Sequence, residues 1–398
     1  MKYIIVVPDG MADEPVPQLG GKTPMEVARK PNMDALALSG FSGLVQTIPD
    51  GLPPGSDIGN LALLGYDPVA NYSGRASLEA ANMGIMLKED DIVFRCNLVT
   101  IQNDVMADYS AGHISSDEAS KIIDTLNQEL GTGNLKFYAG KSYRHLLVLR
   151  SKSVETLFKM VTTPPHDIID KEIRGYLPNG EQNDVLLGIM NKARDILKNH
   201  PVNLERIQRG ELAATNIWLW GQGRKPLLPA FKEKFGLSGS IISAVDLVNG
   251  IGRLAGLDVI TVPGATGYFD TDYAAKGRYA LDSLATKDFV YVHVESPDEA
   301  GHNGDHQQKV KAIEQIDLHI IGAIRKWSEG RNDVRLLVSP DHPTPVGKRT
   351  HTRAPVCFFM CGQGITSNRV AGFSETISLC TGIKFKSGAE LISRFFKT

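Results

Sequence analysis

The sequence predicts an α/β protein, a mostly parallel sheet covered by helices on both faces and interrupted by a smaller α/β insert. Three observations predict it. Continuous apolar runs at Tyr3–Val7, Phe289–Val294 and Val334–Val338 have the length and β-branched character of fully buried strands. Helical patterns alternate with such runs, as in βαβ units. Residues able to do chemistry follow the runs, but only in the first ~60 and last ~110 positions, which implies one domain whose chain is broken.

In chain order, the first strand, 3–7, ends at Pro8-Asp9-Gly10. A Pro/Gly loop, Leu52 to Asn60, runs into an apolar stretch and starts a helix near Ser56. The insert is expected at 88–212, leaving 1–87 and 213–398 as the larger domain. It opens with an alternating strand, 91–100. A helix follows over 116–130, announced by Ser-Ser-Asp-Glu. Strands at 135–138 and 145–149 and a helix at 184–198 complete it. The larger domain is expected to resume with strands 216–220 and 240–244, a helix over 245–255 and a strand at 259–262. Gly250-Ile-Gly-Arg-Leu-Ala-Gly256 imitates a dinucleotide fingerprint, but it lies inside that helical pattern rather than in a strand-to-helix turn. Its glycines are expected to serve close helix–sheet packing.

The candidate chemistry sits at strand ends, where open α/β sheets bind ligands. Asp9 closes the first run, and Asp341-His342 follows the run at 334–338. Asp298 and His302 follow the run at 289–294, and their spacing of four puts both on one helix face. His351 lies shortly beyond. Carboxylates and imidazoles together suit a divalent transition metal. Each motif alone has an ordinary structural reading as a turn or a solvated helix face, and Asp305-His306 reads as a helix start. Ser56 has two readings. Position alone favours a helix cap; a helix N-terminus also stabilises the phosphate a nucleophilic serine would carry.

In order along the chain, Asp9-Gly10, Gly55-Ser56-Asp57, Asp298-x-x-x-His302, Asp341-His342 and His351 resemble the alkaline phosphatase superfamily. Within it the chain resembles the archaeal-type cofactor-independent phosphoglycerate mutases, through Gly20–Pro24, Gly65–Pro68, Gly74–Glu79 and Pro164–Asp167. The resemblance implies an alkaline-phosphatase-like three-layer core and two divalent metal ions (Mn, Zn or Mg). One ion would be held by Asp298, His302 and His351, the other by Asp9, Ser56, Asp341 and His342. Ser56 would be the phosphoryl carrier. The sulfatase motif, Cys/Ser-x-Pro-x-Arg, is absent, since Asp-Ile-Gly follows Ser56.

Composition agrees with a soluble enzyme, and the resemblance implies a small phosphorylated metabolite or an amino acid as substrate. A net charge of −2 over 398 residues gives no footprint for nucleic acid. No apolar run approaches the ~20 residues of a membrane span. The chain starts directly in a strand, and its four cysteines lack any CxxC spacing. A reducing cytoplasm and a monomer or small homo-oligomer are therefore expected.

The insert is expected to act as a lid, shielding a phosphoserine from water and presenting cations to the substrate's anionic groups. The candidates are Arg75, Arg95, Lys141, Arg144 and His145, with His113 and His166 behind them. Here the chain departs from the mutases. Asp108-Tyr-Ser-Ala-Gly-His113 stands where they usually carry Asp-Arg-Arg-Ala-Gly-Arg. Asn60 stands where they have His, and Asn249 where a Lys is expected. With Trp218–Pro226, these variants resemble a bacterial branch proposed to be homoserine kinase. Both substrates stay open from the sequence.

Overall fold

The computed structural model describes residues 1–397. Its strands are β1 (Lys2–Pro8), β2 (Phe41–Val45), β3 (Asp91–Gln102), β4 (Val105–Asp108), β5 (Leu135–Tyr138), β6 (Arg144–Arg150), β7 (Asn216–Arg224), β8 (Gly239–Ile242), β9 (Asp258–Val259), β10 (Phe289–Val294), β11 (Val334–Val338), β12 (Val356–Gly362) and β13 (Lys384–Phe385). The chain divides into a larger unit, Met1–Tyr72 with Leu228–Thr398, and a smaller one, Ser73–Leu227.

The larger unit holds an eight-stranded sheet in the order β13-β2-β12-β11-β1-β10-β8-β9. β1 pairs in parallel with β10 and β11, and β8 in parallel with β10 and β9. Only β12 runs against its neighbours β11 and β2. Every residue of β10 and β11 is buried, so both faces of the sheet are covered, as continuous apolar runs require. On one face Ile4, Val6, Val290, Val292 and Leu336 join a core with Ile313, Ile316 and Ile320 from the helical stretch 306–321. On the other, the Tyr3 ring meets the edges of Phe395 and Phe396 from the C-terminal helix, and Phe231 stacks on Phe289. Four parallel strands, β8, β10, β1 and β11, thus present their carboxyl ends side by side.

The helix Asp246–Leu254 contains Gly250 and Gly252, as the sequence predicts. A Cβ at Gly252 would lie 2.4 Å from the Ile241 side chain, so glycine there allows the helix to press on β8. The strand expected at 259–262 is the two-residue edge strand β9; after it Pro263, which has no N–H to donate, precedes a left-handed Gly264.

The smaller unit is built on an antiparallel sheet, β4-β3-β6-β5, with β7 pairing the other side of β3. Two sequence expectations change here. Residues 216–220 were assigned to the larger domain, yet β7 is hydrogen-bonded to β3 from Ile92 to Val99 and belongs to the smaller unit. The helix Arg75–Asn82 joins it for a similar reason: Ala76 and Ala80 pack against Val93 and Leu146. The division therefore falls at 72/73 and 227/228 rather than at 88 and 212. The strand at 91–100 reads as alternating, but it is buried throughout. Its polar side chains are satisfied inside: Arg95 donates to Glu79, and the Trp220 indole N–H donates to Asn97.

Among the described residues, no helix is long and apolar enough to cross a membrane. Cys96, Cys357 and Cys361 are buried free thiols, and Cys380 is exposed.

Candidate metal and phosphoryl-transfer centre

The site forms where β1, β10 and β11 end. Asp9 follows β1 and is fully buried. The next residue, Gly10, has a φ of +59°, and a Cβ on it would lie 2.5 Å from an Asp298 carboxylate oxygen. A side chain there would be strained twice over, by the left-handed backbone and by the carboxylate behind it. Asp341 and His342 follow β11, both fully buried. The helix Ser296–Asn303 begins two residues after β10 and places Asp298 and His302 one turn apart, with His302 Nε2 3.2 Å from Asp298 Oδ2.

His351 reaches the same point, its Nε2 2.9 Å from His302 Nε2 and 3.5 Å from Asp298 Oδ1. Two imidazole nitrogens and a carboxylate this close together also form a donor set able to hold a cation, and the mixed nitrogen and oxygen set fits Zn or Mn. Hydrogen bonding to Asp298 raises the His302 pKa to about 9, so a cation bound there would displace a proton. Burial alone would raise the Asp298 carboxyl, yet hydrogen bonds from His302 and His351 hold it well below the usual range.

Ser56 is the first residue of the helix Ser56–Leu63, and Gly55 occupies the cap position. Its hydroxyl makes no capping bond, which removes the helix-cap reading. It donates to Asp9 Oδ2 at 3.2 Å and lies 3.1 Å from His342 Nε2. Asn60, one turn on, donates to Asp341 Oδ2 and to the Ser56 carbonyl, each at 2.8 Å, while the Tyr291 hydroxyl donates to Asn60 Oδ1 at 2.6 Å. Asn60 therefore fixes a carboxylate in relation to the serine-bearing turn. Thr344 links the two halves: its hydroxyl donates to Asp298 and lies 3.2 Å from His342 Nδ1.

The structure thus brings together Asp9, Ser56, Asp298, His302, Asp341, His342 and His351. Their grouping is more entwined than two separate sets. His342 lies with Asp298 and His351, and Asp9 lies with Asp341 and a residue the sequence reading missed, His293. His293 Nε2 is 2.9 Å from Asp9 Oδ2, and Nδ1 is 3.1 Å from Ser243 Oγ. Its signal was present as the one imidazole in the apolar run 289–294. Glu295 was missed too. It groups with Asp9 and Asp298, and one of its carboxylate oxygens is buried without a hydrogen-bond partner. Burial first, then neighbouring carboxylates, raise the Asp9 and Glu295 pKa values well above normal.

The proposed substrate cations lie in the smaller unit and differ among themselves. Arg75, Lys141 and Arg144 are exposed. Arg95 is buried, its guanidinium paired with Glu79 and 4.1 Å over the Trp220 ring. His145 presents no cation: its ring is buried, Nδ1 accepts from the Gly140 N–H at 3.0 Å, and burial lowers its pKa to about 4. In the loop 108–113, Asp108 accepts from the N–H groups of Ser110 and Gly112, and Tyr109, Tyr143, His113, His166 and Trp220 form edge-to-face contacts.

An open, mostly parallel sheet with carboxylates, imidazoles and a serine hydroxyl at its strand ends defines an α/β protein with side chains grouped so that they could hold a cation. Residues 37–203 match the family described as 2,3-bisphosphoglycerate-independent phosphoglycerate mutase. A Methanosarcina acetivorans protein of that name is 52% identical over 90% of each chain. A Geobacter sulfurreducens protein named as a probable member is 48% identical over 98% of each. Among solved structures, a Pyrococcus horikoshii protein superposes with a TM-score of 0.83 at 28% identity, covering 99% of this chain and 96% of the other. The cofactor-independent phosphoglycerate mutase from Thermoplasma acidophilum gives 0.69 at 25% identity, covering 100% and 99%. The chain belongs to the 2,3-bisphosphoglycerate-independent phosphoglycerate mutase family.

Proposed function

We propose that the protein interconverts 3-phosphoglycerate and 2-phosphoglycerate by metal-dependent phosphoryl transfer through a phosphoserine at Ser56. The observation that carries the reading is the Ser56 hydroxyl, held by Asp9 and His342 at a helix N-terminus instead of capping it. Asp298, His302 and His351 would hold one divalent cation, and Asp9, Asp341, His342 and Ser56 a second. Such cations lower the pKa of a bound hydroxyl and neutralise charge on a transferring phosphoryl group.

The chain's own residues do the rest. Asp9 Oδ2 accepts the Ser56 hydrogen bond and aims Oγ along one direction. Oγ loses its proton and attacks phosphorus, the bond from phosphorus to the 3-oxygen of glycerate breaks, a proton returns to that oxygen, and phosphoserine forms. The N-terminal end of this helix stabilises its negative charge. The 2-hydroxyl of the same glycerate then attacks phosphorus and releases Ser56. Arg75, Lys141 and Arg144, exposed on the smaller unit, are the proposed anchors for the substrate's anionic groups.

A second reading, phosphorylation of homoserine, is favoured by one feature: the loop 108–113 carries no guanidinium, and its Tyr109 and His113 pack among aromatic rings. Arg binds carboxylate and phosphate through a planar fork that Tyr and His do not replace. One assay separates the readings. With Mn or Zn supplied, turnover of 3-phosphoglycerate is compared with ATP-dependent phosphorylation of homoserine. Mutase turnover without homoserine phosphorylation supports the first reading, and the reverse overturns it in favour of the second.

A further inference from the structure

Lys309 is fully buried, yet its ammonium makes three polar contacts, all to the loops that carry the site. It sits 2.7 Å from Asp13 Oδ2 and 2.9 Å from the Thr344 carbonyl, with one longer contact to the Ala12 carbonyl at 3.4 Å. Correspondingly, Asp13 receives the Val346 N–H at 3.2 Å and the Glu14 N–H at 2.8 Å, while its own N–H donates to Glu375. Ala12 and Asp13 end the loop that begins with Asp9. Thr344 and Val346 lie in the loop that begins with Asp341-His342. Lys309 itself is in the helix His306–Ile316, which follows the helix bearing Asp298 and His302 after a break at Gly304 and Asp305. Asp305 caps that second helix, accepting from the Gln308 N–H.

One ion pair therefore ties together the three segments that supply the cation-binding side chains. The tie is short. The Thr344 carbonyl accepts from Lys309, and the hydroxyl of the same residue bonds Asp298 and contacts His342. The two loops also bridge directly, Met11 and Ala12 with Pro343. A buried Lys–Asp pair is a poor device for stability alone, since well-packed apolar residues of similar size often do as well or better. Such a pair can instead serve to fix a geometry.

We infer that the Lys309–Asp13 ion pair is the positioning device of the site, setting the spacing between the Asp9, Asp341-His342 and Asp298-His302 segments and hence the affinity for cations. Neither residue touches a substrate or a cation; both act through Thr344 and the two loop backbones. The inference rests on the two-cation reading proposed above.

The test separates spacing from stability. Lys309→Met and Asp13→Asn each leave one buried partner unpaired, and their melting temperatures fall by roughly 10 °C. The double variant Lys309→Met/Asp13→Asn removes both charges, keeps an oxygen to accept the Val346 N–H, and regains most of that loss. Its Mn2+ affinity, titrated on the metal-free protein, nevertheless stays ten- to a hundredfold below native, the usual effect of losing residues that orient ligands. Its kcat falls while KM holds. A double variant that binds Mn2+ as tightly as the native chain overturns the inference and leaves a purely structural pair. A native chain that takes up no Mn2+ at all overturns the two-cation reading itself, which the first outcome leaves standing.

Discussion

Gly59→Ala tests how closely the serine-bearing helix must approach its partner loop. Gly59 lies on the helix Ser56–Leu63, facing the backbone of Asp341. A Cβ at this position would sit 2.6 Å from the Asp341 carbonyl oxygen and 2.8 Å from the Asp341 Cβ. Ordinary contact begins near 3.4 Å, so helix and loop must separate by about 0.8 Å. Neither neighbour is a flexible side-chain tip that can swing aside. Overpacking of this kind costs roughly 1–3 kcal/mol, so the variant folds with a lowered melting temperature. The separation acts on the Ser56 contacts to Asp9 and His342, now 3.2 and 3.1 Å, and on the Asn60 bond to Asp341. Displacements near 1 Å cost on the order of a hundredfold in rate when reacting groups must be aligned. Phosphoglycerate turnover should thus fall about a hundredfold, while cation binding by Asp298, His302 and His351 persists, measured by metal titration. Near-native turnover in a folded Gly59→Ala protein would refute the argument that this approach distance positions Ser56.

Three further outcomes are expected. Ser56→Ala keeps its fold and its first cation but loses transfer by several orders of magnitude, because the nucleophile is gone; substantial turnover would reduce Ser56 to a bystander of the cluster. Arg95→Ala leaves the partly buried Glu79 unpaired and the Trp220 ring uncovered, and destabilises the protein by roughly 2–3 kcal/mol, so a melting temperature equal to native would contradict the pair. His145 is held neutral by burial, with a folded pKa of about 4 against an unfolded value near 6.5. Its folded pKa is the lower one, so the stability it contributes is complete above pH ~6.5 and is lost as pH falls toward 4. His145→Gln should flatten the stability–pH curve across that window, and an unchanged slope would count against the burial argument.

The sequence alone determined the elements whose signals are local. Continuous apolar runs gave β1, β10 and β11, because a strand buried on both faces needs no alternation. The Ser-Ser-Asp-Glu capping box announced the helix at 116–130, and Asp305 announced the one at 306–316. The residues of the cluster were legible because parallel strands end together, so a carboxylate or imidazole just after each run has one common destination. What only the tertiary structure decided depends on pairing across long separations. β7 joins the smaller unit because it hydrogen-bonds to β3, more than a hundred residues earlier in the chain. Arg95 and His145 turn out to be interior residues because helices cover both faces of that sheet, which a polar residue in a strand pattern cannot announce. His293 and Glu295 entered the site for a related reason: their roles come from Asp9, on a neighbouring strand, and not from anything within their own run. The sequence supplied the reactive groups; the order of strands in the sheet decided which of them meet.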